Sequence, residues 1–180
     1  MKTFSLKRAT AVLYVAIGTA LMSSAPANAG SQPANLAVSA SVASNCTIST
    51  TAVAFGAYDP IVTNAATALT GNGSITIACT KASVPTLKLD LGATPAGSVR
   101  QMASGAERLP YELYQPPSNV AGTACGALTQ VWGTAGAAIL TTVAAPSKAA
   151  RTYSVCGSIP GGADVAAGAY ADTVIATVTF

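Results

Sequence analysis

The chain has 180 residues, of which only 8% are charged, with nine basic side chains, six acidic side chains and no histidine. Three of the basic residues lie within the first eight positions, so the rest of the chain has six charges of each sign and no net charge. That balance argues against a nucleic acid or an anionic membrane as a partner, because both attract a positive surface. An uncharged surface instead favours association between protein chains.

The first 29 residues have the three parts of a secretory signal peptide. A basic start is followed by an apolar run over residues 11–22 and by the small-residue cleavage pattern Ala27-Asn28-Ala29. The apolar run is too short to span a membrane as a helix. We therefore predict that the protein is exported, that residues 1–29 are removed, and that the mature chain does not insert into the membrane.

The next segment, residues 34–42, alternates apolar and small polar side chains. In an extended chain this spacing places Leu36, Val38, Ala40 and Val42 on one face, which is typical of a half-buried β-strand. The strand has two possible partners. It either folds back into its own domain or pairs with the last strand of a second copy. The alternation alone does not decide between them.

The rest of the chain predicts a single all-β sandwich. Residues typical of solvated helices are scarce, whereas Thr and Val runs are separated by Gly and Pro. We expect Gly71-Asn72-Gly73 to form a tight turn and residues 92–105 to form a loop. Trp132 is expected to be a core or edge aromatic rather than a platform for a ligand. The predicted strands are 45–49, 53–58, 74–80, 87–91, 109–115, 128–132, 137–144, 151–159 and 173–180.

The last predicted strand, residues 173–180, has its apolar side chains at alternating positions: Val174, Ala176, Val178 and Phe180. No segment follows to cover its far edge. Because an open sheet edge exposes unpaired N–H and C=O groups, we expect another strand to pair there.

Four cysteines follow the signal peptide, and an even number in an oxidising compartment predicts two disulfides. Three pairings are possible. We favour Cys46 with Cys79, since both lie on the apolar faces of their strands, and Cys125 with Cys156. A metal site is disfavoured because the chain has neither histidine nor a C-x-x-C motif.

The sequence does not predict an enzyme. Without histidine, the usual Ser-His-Asp and Cys-His arrangements are excluded. Nothing in the sequence brings Glu112 and Asp172 together, and structural or solvated roles are the expectation for every carboxylate. The glycine pairs precede neither a lysine nor a helix, so we predict no phosphate site and no cofactor.

Segments in five parts of the chain resemble the spore coat protein U domain family, which includes the stalk subunits of Csu-type archaic chaperone–usher pili. These segments are Asn45-Cys46-Thr47-Ile48, residues 53–60 (VAFGAYDP), 73–79 (GSITIAC), 153–160 (YSVCGSIP) and the ending over 168–180. The resemblance spans nearly the whole predicted mature chain.

The resemblance implies an immunoglobulin-like sandwich without its last strand. In such pili a periplasmic chaperone lends a strand to the open groove, and at the outer-membrane usher the N-terminal extension of the next subunit replaces it. On this chain, residues 30–44 would be the extension and 45–180 the domain. The donor residues would be Leu36, Val38, Ala40 and Val42. The groove would be formed by Cys46, Ile48, Val174, Ala176, Val178 and Phe180.

The function implied by the resemblance is a stalk subunit of a cell-surface pilus that serves attachment and biofilm formation. Its partners would be further copies or related subunits, the chaperone and the usher. The alternative is a spore or cell-surface coat protein that has the same domain but does not polymerise through an usher. A tip adhesin is disfavoured because the chain has room for one domain only.

Overall fold

The computed structural model describes residues 29–180, so the predicted signal peptide lies, apart from Ala29, outside the described residues. The described chain forms two antiparallel sheets and one short 3-10 turn, Gly136–Ala138. Its strands are β1 (Cys46–Ala54), β2 (Leu69–Cys79), β3 (Thr86–Leu89), β4 (Arg100–Ser104), β5 (Glu107–Tyr114), β6 (Leu140–Thr141), β7 (Arg151–Ile159) and β8 (Ala176–Thr179). The predicted all-β sandwich is confirmed.

One sheet has the order β1-β2-β7-β5-β4, and the other has the order β6-β3-β8. Inward side chains alternate along the central strands, as a sheet with one face on the core requires. Trp132 is fully buried between the two sheets, and its indole N–H donates to the carbonyl of Leu87 at 3.0 Å. The main buried residues are Ile75, Ile77, Cys79, Leu87, Leu89, Leu109, Tyr111, Leu113, Tyr153, Val155 and Ile159. Within residues 29–180, no helix is long and apolar enough to cross a membrane.

Several predicted elements differ from the structure. Residues 92–105, predicted as a loop, contain the strand β4, which pairs with β5. Residues 128–132 form only a single bridge, between Val131 and Tyr114. The strands predicted over 137–144 and 173–180 shorten to β6 and β8, while residues 45–49 and part of 53–58 merge into β1.

The predicted turn at Gly71-Asn72-Gly73 is wrong, because these residues lie inside β2 and pair with residues 155–157 of β7. The glycines instead make room for two side chains, Val53 and Phe55, from the end of β1 and the residue just after it. A Cβ on Gly71 would lie 2.8 Å from Phe55, and one on Gly157 would lie 2.6 Å from it. A Cβ on Gly73 would lie 2.7 Å from Val53. The three glycines therefore form a cradle that seats Val53 and Phe55 on the sheet.

The structure joins Cys46 to Cys79 and Cys125 to Cys156, the pairing favoured from the sequence. The first bond links directly paired positions of β1 and β2, since Cys46 lies opposite Cys79 in the register. The second links the buried Cys156 in β7 to the long connection after β5. Each disulfide thus fastens a peripheral segment to a central strand.

A fully buried arginine, Arg100 in β4, links the two sheets. Its guanidinium pairs with the carboxylate of Glu112 on β5. The same group donates to the carbonyl of Asp90 (2.6 Å) and to that of Leu89 (3.2 Å), where β3 ends. A further bond reaches the carbonyl of Trp132 at 2.6 Å. A buried cation is tolerated here because its donors meet a carboxylate and carbonyl oxygens.

We predict that Arg100→Ala destabilises the mature protein by about 3–5 kcal/mol, because Glu112 loses its cationic partner and three carbonyls lose the guanidinium as a donor. Urea unfolding with the disulfides intact measures the change. Arg108→Ala is the matched control, because Arg108 is exposed and bonds only neighbouring carbonyls; its effect should stay within about 0.5 kcal/mol. Equal effects of the two substitutions would contradict the assigned role of Arg100.

We predict that Gly157→Ala costs about 1–3 kcal/mol through overpacking against Phe55 and Val53. Adding the Phe55→Leu substitution should recover part of that loss, since the shorter side chain relieves the contact. The same unfolding measurement gives the coupling free energy of the pair. Gly126→Ala is the control, because the new Cβ would have only an ordinary contact, 3.5 Å from Pro117. Additive effects of the Gly157 and Phe55 changes would speak against the cradle.

Candidate functional site

One side of the sandwich is left open between two edge strands. Within residues 29–180, β1 pairs only with β2 and β8 only with β3, and these two edge strands lie close to each other. Neither strand contains a fully buried residue, whereas the central strands β2 and β7 each contain several. An edge normally exposes unpaired N–H and C=O groups. Here two such edges flank an incompletely covered core.

A cavity of about 400 Å³ lies between the second half of β1 and the segment that leads into β8. Val53 and Phe55 form one wall, and Val174 and Ala176 form the other. The floor reaches into the buried core and consists of Leu89, Met102, Tyr111, Leu113 and Val155. We call this space the cleft. Its walls and floor are mostly apolar, so it suits apolar side chains.

A second cavity, of about 850 Å³, continues the cleft toward one end of the molecule. The two spaces share Val53, Phe55, Met102 and Tyr170. Phe55 stands between them, seated in its glycine cradle, with its ring edge-on to Tyr111 at a centroid distance of 6.2 Å. The aromatic pair of Phe55 and Tyr111 therefore forms part of the lining of the cleft.

The wall on the β8 side is held by two carboxylates. Asp172 accepts hydrogen bonds from the Tyr111 hydroxyl (2.6 Å) and from the N–H of Ala93 (2.8 Å). Asp90 accepts a hydrogen bond from the N–H of Ile175 at 2.9 Å. Burial, and secondarily the bond to Asp172, raises the pKa of Tyr111 well above its usual range, so the phenol stays a donor. These contacts, all within one domain, hold in place the residues that lead into β8.

The carboxylates predicted to have structural roles have such contacts. Glu112 pairs with Arg100, and Asp172 accepts a hydrogen bond from Tyr111. These contacts join each of the two carboxylates to a different partner and not to each other. The N–H groups of Ile61 and Val62 donate to Asp59 and lower its pKa. Residues 29–180 contain no group of three or more His, Cys, Asp or Glu side chains that could hold a metal.

The predicted groove residues divide into two sets. Val174 and Ala176 line the cleft, and their role in receiving a donor strand stays a prediction. Cys46 and Val178 are half-buried against the core nearer the other ends of β1 and β8. Ile48 and Phe180 are partly exposed, at 37% and 54%. The cleft thus lies toward the later half of β1, whereas the sequence pointed to its beginning.

Sequence reasoning missed Phe55, Met102 and Tyr170 as cleft residues. Phe55 follows Val53 at the spacing of a strand face, so the pattern contained a signal for it. Met102 lies in β4, which was predicted as a loop, and Tyr170 lies in the connection before β8. For the last two, only the packing in the fold reveals the contact.

The predicted donor segment has no regular secondary structure in this single chain, and strand pairing begins at Cys46. Its apolar side chains are almost entirely exposed: Leu36 at 88%, Val38 at 87% and Val42 at 84%. Ala40, on the same predicted face, is exposed as well. An apolar stripe in water is the mark of a binding segment. Its pairing with another molecule stays a prediction.

The comparisons with known proteins agree with this architecture. The profile of the Spore Coat Protein U domain matches residues 32–177. "Protein U" of Myxococcus xanthus is 33% identical over 186 aligned positions, which cover 95% of this chain and 97% of that protein.

The fold is also similar to one in a solved structure. That structure is the CsuC–CsuE chaperone–tip adhesion subunit pre-assembly complex from the archaic chaperone-usher Csu pili of Acinetobacter baumannii. The TM-score is 0.54 at 22% identity, and the match covers 77% of this chain but only 40% of the other. This likeness concerns the fold, an immunoglobulin-like sandwich. Because the family profile spans most of the sequence, the chain belongs to the Spore Coat Protein U domain family, as its motifs predicted.

Proposed function

We propose that this protein is the structural subunit of a surface pilus in which each copy completes the sandwich of its neighbour. The observation that supports this most directly is the pairing of two features in one chain. An open apolar cleft lies between β1 and β8, and an exposed apolar stripe lies in residues 34–42. Each has the chemistry that the other lacks.

The dimensions of the two features agree. β1 has nine residues, and the donor segment 34–42 has the same length. A strand of that length spans about 30 Å. Its inward side chains at alternating positions would enter the cleft, while its backbone would pair with the open edges. Asn35, Ala37, Ser39 and Ser41 would face outward, which suits their small or polar side chains.

The energetics favour a persistent link. Leu36, Val38 and Val42 would leave water almost completely, and each such transfer is worth about 1.5–3 kcal/mol. New ladder hydrogen bonds would add about 0.5–1.5 kcal/mol each. Several of each at one junction would make dissociation slow without a cofactor or a nucleotide.

Insertion into a neighbour is favoured over insertion into the same molecule. Only residues 43–45 separate the donor segment from β1, so a fold-back would form a hairpin antiparallel to β1. The end of β1 lies opposite the segment entering β8, so such a strand would run parallel to β8. Every strand pair within the two sheets is antiparallel. A strand from another copy can keep that antiparallel arrangement with β8.

An unfilled cleft also explains the other proposed partners. A subunit with exposed core side chains needs a temporary strand between export and assembly, because open edges promote aggregation. We assign that role to a periplasmic chaperone and the exchange step to an outer-membrane usher. Residues 1–29 would direct export, 30–44 would be the donor extension, and 45–180 the receiving domain. The resulting fibre at the cell surface would serve attachment and biofilm formation.

A coat protein is the second candidate, favoured by the family description and by the match to almost the full length of Protein U. In that case the same domain would cover a spore or cell without ushered polymerisation. The presence of chaperone and usher genes beside this gene would favour the pilus. Their absence would favour the coat.

We predict that Val38→Asp reduces the fibre yield at least about tenfold, because a loss of only 1.4 kcal/mol per junction gives that factor and a buried unpaired carboxylate costs more. Electron microscopy and heat dissociation of surface fibres from the native host measure the effect. Ser39→Asp is the matched control, since it adds the same charge one residue further on, at the outward-facing position.

The pilus proposal requires the control to assemble normally while Val38→Asp fails. Wild-type fibres from Val38→Asp would refute the donor assignment. A surface layer that forms equally well with both variants, and without fibres, would favour the coat.

A further inference from the structure

The chain contains a single methionine after the predicted signal peptide. Its three methionines are Met1, Met22 and Met102, and the first two lie within residues 1–29. A thioether differs from other apolar side chains because it can gain an oxygen atom and become a polar sulfoxide. Met102 is therefore the one position of the mature chain at which that change can occur.

Met102 lies at the junction of the two cavities. It belongs to β4, where it pairs with Leu109 of β5, and it is half-buried. It packs against the buried core and lines both the cleft and the second cavity. Because the cleft is unfilled in the single chain, a small solute in water can reach this side chain.

Other side chains that oxidants commonly attack are absent or protected. The chain has no histidine. Within residues 29–180 the four cysteines are joined in two disulfides, so that part of the chain has no free thiol. Trp132 is fully buried. A small two-electron oxidant, such as hydrogen peroxide or hypochlorous acid, is therefore expected to react first at the sulfur of Met102.

A sulfoxide at this position would place a hydrogen-bond acceptor in the apolar floor of the cleft. The hydroxyls of the two tyrosines that line the cleft already donate to other acceptors. Tyr111 donates to Asp172 at 2.6 Å. Tyr170 donates to the carbonyl of Ala166 at 2.7 Å. The new oxygen would be hydrated in the open cleft and would lose that water when apolar side chains enter, which costs free energy.

We propose that Met102 is an oxidation site that decides whether the cleft accepts a donor strand. This inference rests on the proposed donor-strand assembly. The oxidant transfers one oxygen atom to the sulfur, which loses two electrons as the S–O bond forms. With hydrogen peroxide, the O–O bond breaks and water is the other product.

The site behaves differently before and after assembly. In a free subunit the thioether faces the open cleft, and its oxidation makes the subunit a poor acceptor. In an assembled subunit the apolar side chains of the donor cover Met102 and protect it. A methionine sulfoxide reductase restores the thioether, so the block is reversible.

The first test measures how fast hydrogen peroxide oxidises Met102 in the mature protein, with and without the synthetic peptide of residues 34–42. Mass spectrometry detects the gain of one oxygen atom on the fragment that contains Met102. At 100 times the Kd of the peptide only about 1% of the molecules would be free, so oxidation should slow at least about tenfold. Equal rates for the free and the peptide-bound protein would overturn the proposed protection.

The second test measures the affinity of the oxidised protein for the same peptide. Binding should be at least about tenfold weaker than before oxidation, because a buried polar group without a partner costs more than that factor requires. Met102→Leu keeps a similar side-chain volume, so this variant should bind equally well before and after peroxide treatment. The matched control adds Val99→Met to it, since Val99 is 45% exposed and lines neither cavity.

Weaker binding by the oxidised natural protein, with no change in the oxidised control, supports the proposal. Oxidised natural protein that binds the peptide as tightly as untreated protein would overturn it, and so would a Met102 that resists oxidation in the free protein. Both of these results would leave the donor-strand proposal intact. A peptide that does not bind even the untreated protein would instead refute the proposed function itself.

Discussion

The feature on which the rest of the structure depends is the open cleft between β1 and β8. Two edge strands with free backbone groups flank core side chains that nothing within residues 45–180 fully covers. At this place the apolar side chains are incompletely buried and the backbone groups of the edge strands are incompletely hydrogen-bonded. Both contributions to the folding free energy are therefore smaller there than they could be. A strand with alternating apolar side chains would satisfy both at once. The exposed apolar stripe in residues 34–42 has that pattern.

The cleft keeps its shape through contacts that do not need the missing strand. Arg100 joins the sheets by charged hydrogen bonds in the core, and the glycine cradle seats Phe55 on the sheet. Asp172 and Asp90 hold the chain that enters β8. The disulfide of Cys46 fastens the exposed strand β1 at its first residue. Because these parts are fixed in advance, a donor strand loses little free energy in ordering its acceptor.

Periodicity was informative where side chains alternate against one buried face. β7 was predicted with its actual bounds, and the inward positions of β2 follow from Ile75, Ile77 and Cys79. The two disulfides also match the favoured pairing, and for Cys46 with Cys79 the strand faces supplied the reason. Val174 and Ala176 were predicted on a common face, and both line the cleft.

The misses have physical causes that lie in tertiary contacts. Gly71 and Gly73 have the composition of a turn, but their place in β2 is set by Val53 and Phe55 from another segment. β4 was predicted as a loop because Gly, Ser and Pro residues surround it. Its arginine is buried, whereas a pattern of polar and apolar residues predicts that an arginine faces solvent. Ile48 and Phe180 follow the alternation of their strands but do not line the cleft, and their place in the groove stays a prediction.

The most direct measurement of the missing strand is the unfolding of the mature protein in the presence of a synthetic peptide of residues 34–42. The account predicts that the peptide raises the urea midpoint, and does so more at higher peptide concentration. At 100 times its Kd the peptide should add about 2.7 kcal/mol to the free energy of unfolding. The same peptide with aspartate at position 38 should have little effect. If neither peptide changes the midpoint at any concentration, the cleft does not accept this strand, and donor-strand assembly is contradicted.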